Sequence, residues 1–95
     1  MKIEDFKFDR IKRKGTDGDY AIYYDRGTVG GDNDLWVQAV NYTLDKDVHW
    51  AVLFMKMIDG DVVDSGIYRR LTEEEACQYL IEFSERIGLK LEVLS

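Results

Sequence analysis

Residues 49–69 read HWAVLFMKMIDGDVVDSGIYR. His49, Ala51, Leu53, Met55 and Met57 alternate with Trp50, Val52, Phe54 and Ile58, and Lys56 alone breaks the apolar run. A strand apolar on both faces is predicted to be central in its sheet and covered on both sides. Asp59-Gly60 follows, suited to a two-residue type I′ turn because both central residues need positive φ. That turn sets Met57 opposite Val62, Lys56 opposite Val63, Phe54 opposite Ser65 and Val52 opposite Ile67. The return strand carries Asp64, Ser65 and Gly66 and is expected to be the wetter partner. The hairpin defines a core and names no chemistry.

The residues before it extend the pattern. Phe6 and Phe8 alternate within residues 3–14 before the basic run 10–14, so an edge strand with a basic far half, kinked by a bulge, is expected there. Residues 15–18 form a two-glycine connection. The second strand is 19–26, with Tyr20, Ile22 and Tyr24 on one face and Ala21 and Tyr23 on the other. Residues 27–34 make the longest loop. The third strand, 35–44, opposes Leu35, Val37 and Ala39 to Trp36, Val40, Tyr42 and Leu44, and residues 45–47 turn into the hairpin.

After residue 70 the period changes. Thr72 and Glu75 stand at capping-box spacing, with Leu71 and Ala76 placed as a small hydrophobic staple. Ala76, Tyr79, Leu80, Phe83 and Ile87 recur at three- and four-residue steps, one apolar stripe of a helix. Glu73, Glu74 and Glu75 suit its positive end, Arg86 its last turn and Gly88 its left-handed cap. Residues 89–94 alternate at period two, a short final strand expected to lie parallel to the fifth strand or at the other edge. The expectation is therefore an α+β domain over residues 1–95, βββββαβ. Its five-stranded antiparallel meander is curled and packed on one C-terminal helix. One four-turn helix cannot roof both faces of five strands. Either the sheet curls around it or the second face meets a partner, such as a second copy.

Composition narrows the function classes. A 95-residue chain has room for one core. Cys77 is the sole cysteine, no signal-like run follows Met1, and the longest apolar stretch is far short of a membrane span. A soluble, reducing, cytoplasmic setting with no membrane partner is expected. A net charge of −6 disfavours direct nucleic-acid binding and suits a partner protein with a basic surface.

Aspartates recur as Asp-x-Asp at 17/19, 32/34, 45/47 and 59/61. In a meander Asp17, Asp19, Asp45 and Asp47 share one end with Glu73, Glu74 and Glu75, a row of carboxylates able to mimic a phosphate backbone. The plainer account is turn chemistry, since Asp bonds nearby backbone. Lys12 to Lys14 and Arg69-Arg70 at that end partly cancel the field. Trp36, Tyr42 and Trp50 are candidate aromatic anchors for a partner, or else core residues.

Residues 30–34 fail the calcium-loop pattern because Leu35 and Trp36 stand where ligands are needed. Residues 27–31 lack the lysine and helix of a phosphate loop. His49 and Cys77, each unique, would have to meet to form a nucleophilic dyad and are too few for a zinc site. The run 10–14 with Tyr20, Tyr23 and Tyr24 reads as edge protection or as a stacking patch.

In size and acidity alone the chain resembles small phage and mobile-element proteins that inhibit nucleic-acid-handling machines, a likeness that carries no residues across. The reading is a non-enzymatic acidic protein-binding module without cofactor or metal. The alternatives are a homodimeric structural or adaptor domain using the second sheet face, and a ligand binder or enzyme with a pocket near His49.

Overall fold

The structure is a computed structural model describing residues 1–8, 10–16, 19–26, 34–44 and 47–94, with the backbone alone at 10–16, 19–26, 43 and 44. It is α+β. A 3₁₀ turn (Ile3–Asp5) and strand β1 (Phe6–Lys7) lead into β2 (Arg10–Thr16), β3 (Asp19–Arg26), β4 (Asp34–Leu44), β5 (Asp47–Ile58) and β6 (Asp61–Leu71). Helix α1 (Glu73–Ile87) and a final strand β7 (Glu92–Val93) complete it. Strands β2 to β6 pair antiparallel in chain order, and β1 pairs with β7 in a separate two-stranded sheet. The layer under the helix is three strands wide, β4-β5-β6, rather than five.

The helix forms as its sequence requires. Thr72 Oγ1 accepts from the Glu75 N–H at 3.1 Å, and a Glu75 carboxylate oxygen accepts from the Thr72 N–H at 3.0 Å. Gly88 ends the helix at φ 79°, ψ 23° and donates its N–H to the last-turn carbonyls. Its stripe of Ala76, Leu80, Phe83 and Ile87 is buried against Val37 and Ala39 of β4, Trp50, Val52 and Phe54 of β5, and Leu71 of β6. Each large side chain taken from water there contributes on the order of 1.5–3 kcal/mol.

Two expectations are corrected at the chain ends. Residues 3–14 are not one edge strand. Ile3 and Phe6 are 1% and 3% exposed, so this segment turns into the core beside the helix, and the large sheet begins only at Arg10. The three-residue spacing of Ile3 and Phe6 fits a 3₁₀ turn, which superposes such residues on one side. The final strand joins neither edge of the large sheet. It pairs antiparallel with β1, Phe6 opposite Val93 and Lys7 opposite Glu92.

The central hairpin turns at Asp59 and Gly60, with φ of 52° and 81°. Ile58 faces Asp61 and Met57 faces Val62, and then the register slips. Lys56 pairs with Asp64 instead of Val63, Phe54 with Gly66 instead of Ser65, and Val52 with Tyr68 instead of Ile67. An extra residue near Val63 makes a β-bulge, which a turn rule cannot foresee because it fixes register only beside the turn. A second irregularity lies between Trp50 and Val52, where Arg70 takes φ 58°.

The slip is what places a glycine under an aromatic ring. Phe54 packs on Phe83 with centroids 4.4 Å apart, and the Arg86 guanidinium lies 5.2 Å from the Phe54 ring centre. A Cβ on Gly66 would come within 2.7 Å of Phe54 Cε1. Gly66→Ala is therefore expected to cost about 1–3 kcal/mol by overpacking. Most of that cost should vanish in a Phe54→Leu background, as read by urea denaturation of the two singles and the double.

Candidate functional site

One helix covers one side of β4-β5-β6. Alternation sends Trp36, Gln38, Val40 and Tyr42 of β4 to the opposite side, and the register sets them beside Met55, Leu53, Ala51 and His49 of β5. Ile67 of β6 pairs with Leu53 on the same side. This open face is concave. A depression of about 430 Å³ is lined by Gln38, Val40, Tyr42, Ala51, Leu53, Ile67, Arg69 and Arg70. Its floor is aliphatic, and Ile67 at its edge is 44% exposed. The two arginines are exposed, and among the described residues neither guanidinium has an ion-pair partner.

Local chemistry holds the rim in shape. Arg70 sits at positive φ, a conformation that costs a non-glycine residue roughly 1–2 kcal/mol. Its N–H donates to the Tyr42 hydroxyl at 2.9 Å, which fixes the kink to the neighbouring face. The Tyr42 ring also lies 5.8 Å from the His49 ring. Volume and lining suit an apolar side chain or small ligand, with positive charge at one end for a carboxylate or phosphate.

The expected site residues separate. Trp36 and Tyr42 are half-buried on the open face. Trp50 is not with them. It lies on the helix side, 8% exposed, packed in the core. The reason is parity, since β4 and β5 pair Leu44 with Asp47, and this places Trp50 opposite Asn41 rather than opposite Tyr42.

Of the acidic set, Asp17 and Asp45 lie outside the described residues, and of Asp19 only the backbone is described. Asp47 and Glu74 are exposed. The other two helix-start acids are occupied by backbone: Glu75 closes the capping box, and Glu73 Oε2 accepts from the Ile3 N–H at 3.0 Å. Residues 27–33, the bulk of the calcium and phosphate-loop readings, also lie outside the described residues, as do the side chains of the basic run 10–14 and of Tyr20, Tyr23 and Tyr24. Among the described residues no group of three or more potential ligands is arranged to hold a metal ion. No helix among them is long and apolar enough to cross a membrane.

The dyad reading fails on geometry. His49 belongs to the open face, while Cys77 is buried on the helix, its thiol donating to the Met1 carbonyl at 3.5 Å. The three-stranded layer stands between them. Sequence reasoning missed Arg69, Arg70, Leu53 and Ile67 as neighbours of Tyr42. No local signal marked them, because the faces shared by β4 and β5 follow from the pairing of Leu44 with Asp47, one residue away from what a turn at 45–47 implies.

Burial, reinforced by the Glu73 carboxylate, pushes the Cys77 thiol up to about 11 from an ordinary value of 9.0. Folding thus favours the neutral thiol. Its contribution to stability is full below pH 9.0 and is lost as pH rises towards about 11. The native protein is expected to resist iodoacetamide at pH 8 at least about tenfold better than an unfolded control. Alkylation followed by mass spectrometry measures this, and equal rates would show the thiol to be accessible. Comparison with known proteins adds no identity: no family profile, no curated protein and no solved structure matches this chain.

Proposed function

We propose that this chain is a non-catalytic protein-binding module that engages its partner through the open face of β4-β5-β6. The observation that carries the reading is the concave aliphatic floor beside the guanidiniums of Arg69 and Arg70, which have no ion-pair partner among the described residues. Charge complementarity defines the partner: a protein presenting an apolar ridge flanked by carboxylates. Ridge and floor supply desolvation, while Arg69 and Arg70 supply orientation.

The acidic-corner reading, in which the Asp47 and Glu74 end occupies a basic surface, is the second. The net charge of −6 favours it. The commitment of Glu73 and Glu75 to backbone N–H groups leaves it fewer free carboxylates.

Trp36→Asp and Leu53→Asp place charge on the open face, and Asp45→Lys with Asp47→Lys reverses the corner. Captured from native extract, the same partner is expected to be lost with both face variants and retained with the corner variant, with each variant's fold checked by circular dichroism. Binding through the face should weaken only modestly with salt, through Arg69 and Arg70, because the apolar floor is not screened. Corner binding should weaken sharply as salt rises past physiological ionic strength, where the Debye length is about 8 Å. Retention with both face variants and loss with the corner variant would replace the first reading by the second.

A further inference from the structure

Strand β6 ends the sheet, and among the described residues no strand pairs with its outer side. Eleven residues long, it is an extended row with alternate N–H and C=O groups facing outward. Four of its large apolar residues are also unusually open: Val62 at 50%, Val63 at 55%, Ile67 at 44% and Tyr68 at 49%. Natural edges are commonly guarded by charge, so the order of the charges on this one matters.

That order is antisymmetric. Asp61 and Asp64 stand in the first half of the strand, and Arg69 and Arg70 in the second. A parallel neighbour of identical sequence would meet like charge with like. An antiparallel copy, related by a two-fold axis through the regular segment 64–68, sets the acidic half of each strand beside the arginine half of the other. Asp64 is engaged by Arg86 within the chain, with Nε to Oδ2 at 2.7 Å. Asp61 and Arg69 form no ion pair within the chain among the described residues. The same operation brings the Ile67 side chains close across the axis and sets Gly66, without a side chain, where two backbones meet closely.

From this arrangement we infer that the occupant of the β6 edge is a second copy of the chain, added antiparallel to make one continuous sheet. The contact is isologous and closes on itself, so it yields a dimer and not a fibre. Bulges near Val63 and Arg70 bound the paired segment and prevent further strand addition. The edge shares Ile67 and Arg69 with the rim of the open-face depression, but the inference rests on β6 alone and requires no particular partner for that face.

Sedimentation velocity over roughly three decades of concentration tests it, with a concentration-dependent monomer–dimer equilibrium expected. Arg69→Glu sets like charge against Asp61 of the other copy and is expected to weaken the dimer about tenfold. Adding Asp61→Lys to that variant restores opposite charge between positions 61 and 69 with the signs exchanged, and should return the dissociation constant to within about twofold of the original. Amide exchange across 64–68 should slow as concentration rises. A monomer across the whole range overturns the inference, as does a dimer indifferent to Arg69→Glu, or an Asp61→Lys/Arg69→Glu variant no tighter than the single. A dimer lost only with Leu53→Asp places the second copy on the open face and overturns it equally.

Discussion

A helix of fifteen residues is about 22 Å long and roughly 10 Å wide, and it has one apolar stripe. Laid on a sheet, it covers one side of about three strands. That limit decides what else the chain must do. The covered side closes over Val37, Ala39, Val52 and Phe54, all nearly inaccessible. The flank of the helix is sealed by Ile3 and Phe6, held in place by the small β1–β7 sheet and by the bond from Ile3 to Glu73. Nothing remains in the described part of the chain to cover Trp36, Val40, Leu53 and Met55, whose strand has to be apolar on both faces merely to sit in the middle.

Within the covered side, contact is organised by rings. Tyr68 stacks on Tyr79 at 4.5 Å and on Phe83 at 5.4 Å, and Phe83 in turn meets Phe54. Arg86 then reaches over Phe54 to a two-pronged bond with Asp64, at 2.7 and 3.0 Å. The bond to the Asp64 carboxylate holds the guanidinium protonated still more firmly than usual. The helix is thus joined to β6 by packing at its centre and by charge at its exposed end. The glycine at 66 is the condition for both, because a side chain there would displace the ring on which the guanidinium rests.

The sequence announces some of this and hides the rest, for reasons of range. The capping box, the stripe and Gly88 are local signals, and the helix limits at 73 and 87 follow from them. Asp59-Gly60 is equally local, and the turn forms there. Register beyond the turn is not local. One additional residue near Val63 re-pairs everything after it, and no composition marks a bulge. Parity across β4 and β5 turns on one residue: the turn read at 45–47 sets Trp50 beside Tyr42, whereas the pairing of Leu44 with Asp47 separates them. The alternation of Phe6 and Phe8 misleads because a strand of two residues and a 3₁₀ turn imitate one longer strand. The arginine rim was legible only as charge, and its meeting with Leu53 and Tyr42 needs three strands in register.

Arg70 joins these features in one further respect. Its left-handed backbone turns the end of β6 so that Leu71 enters the core and Thr72 caps the helix, with no connecting residue between strand, cap and first helical turn. The passage from sheet to helix has no slack. A tug on the outer strand is transmitted to the cylinder at once, through Thr72 and its reciprocal bonds, instead of being absorbed by a loop. Whatever docks along that margin gains a stiff lever on the helix.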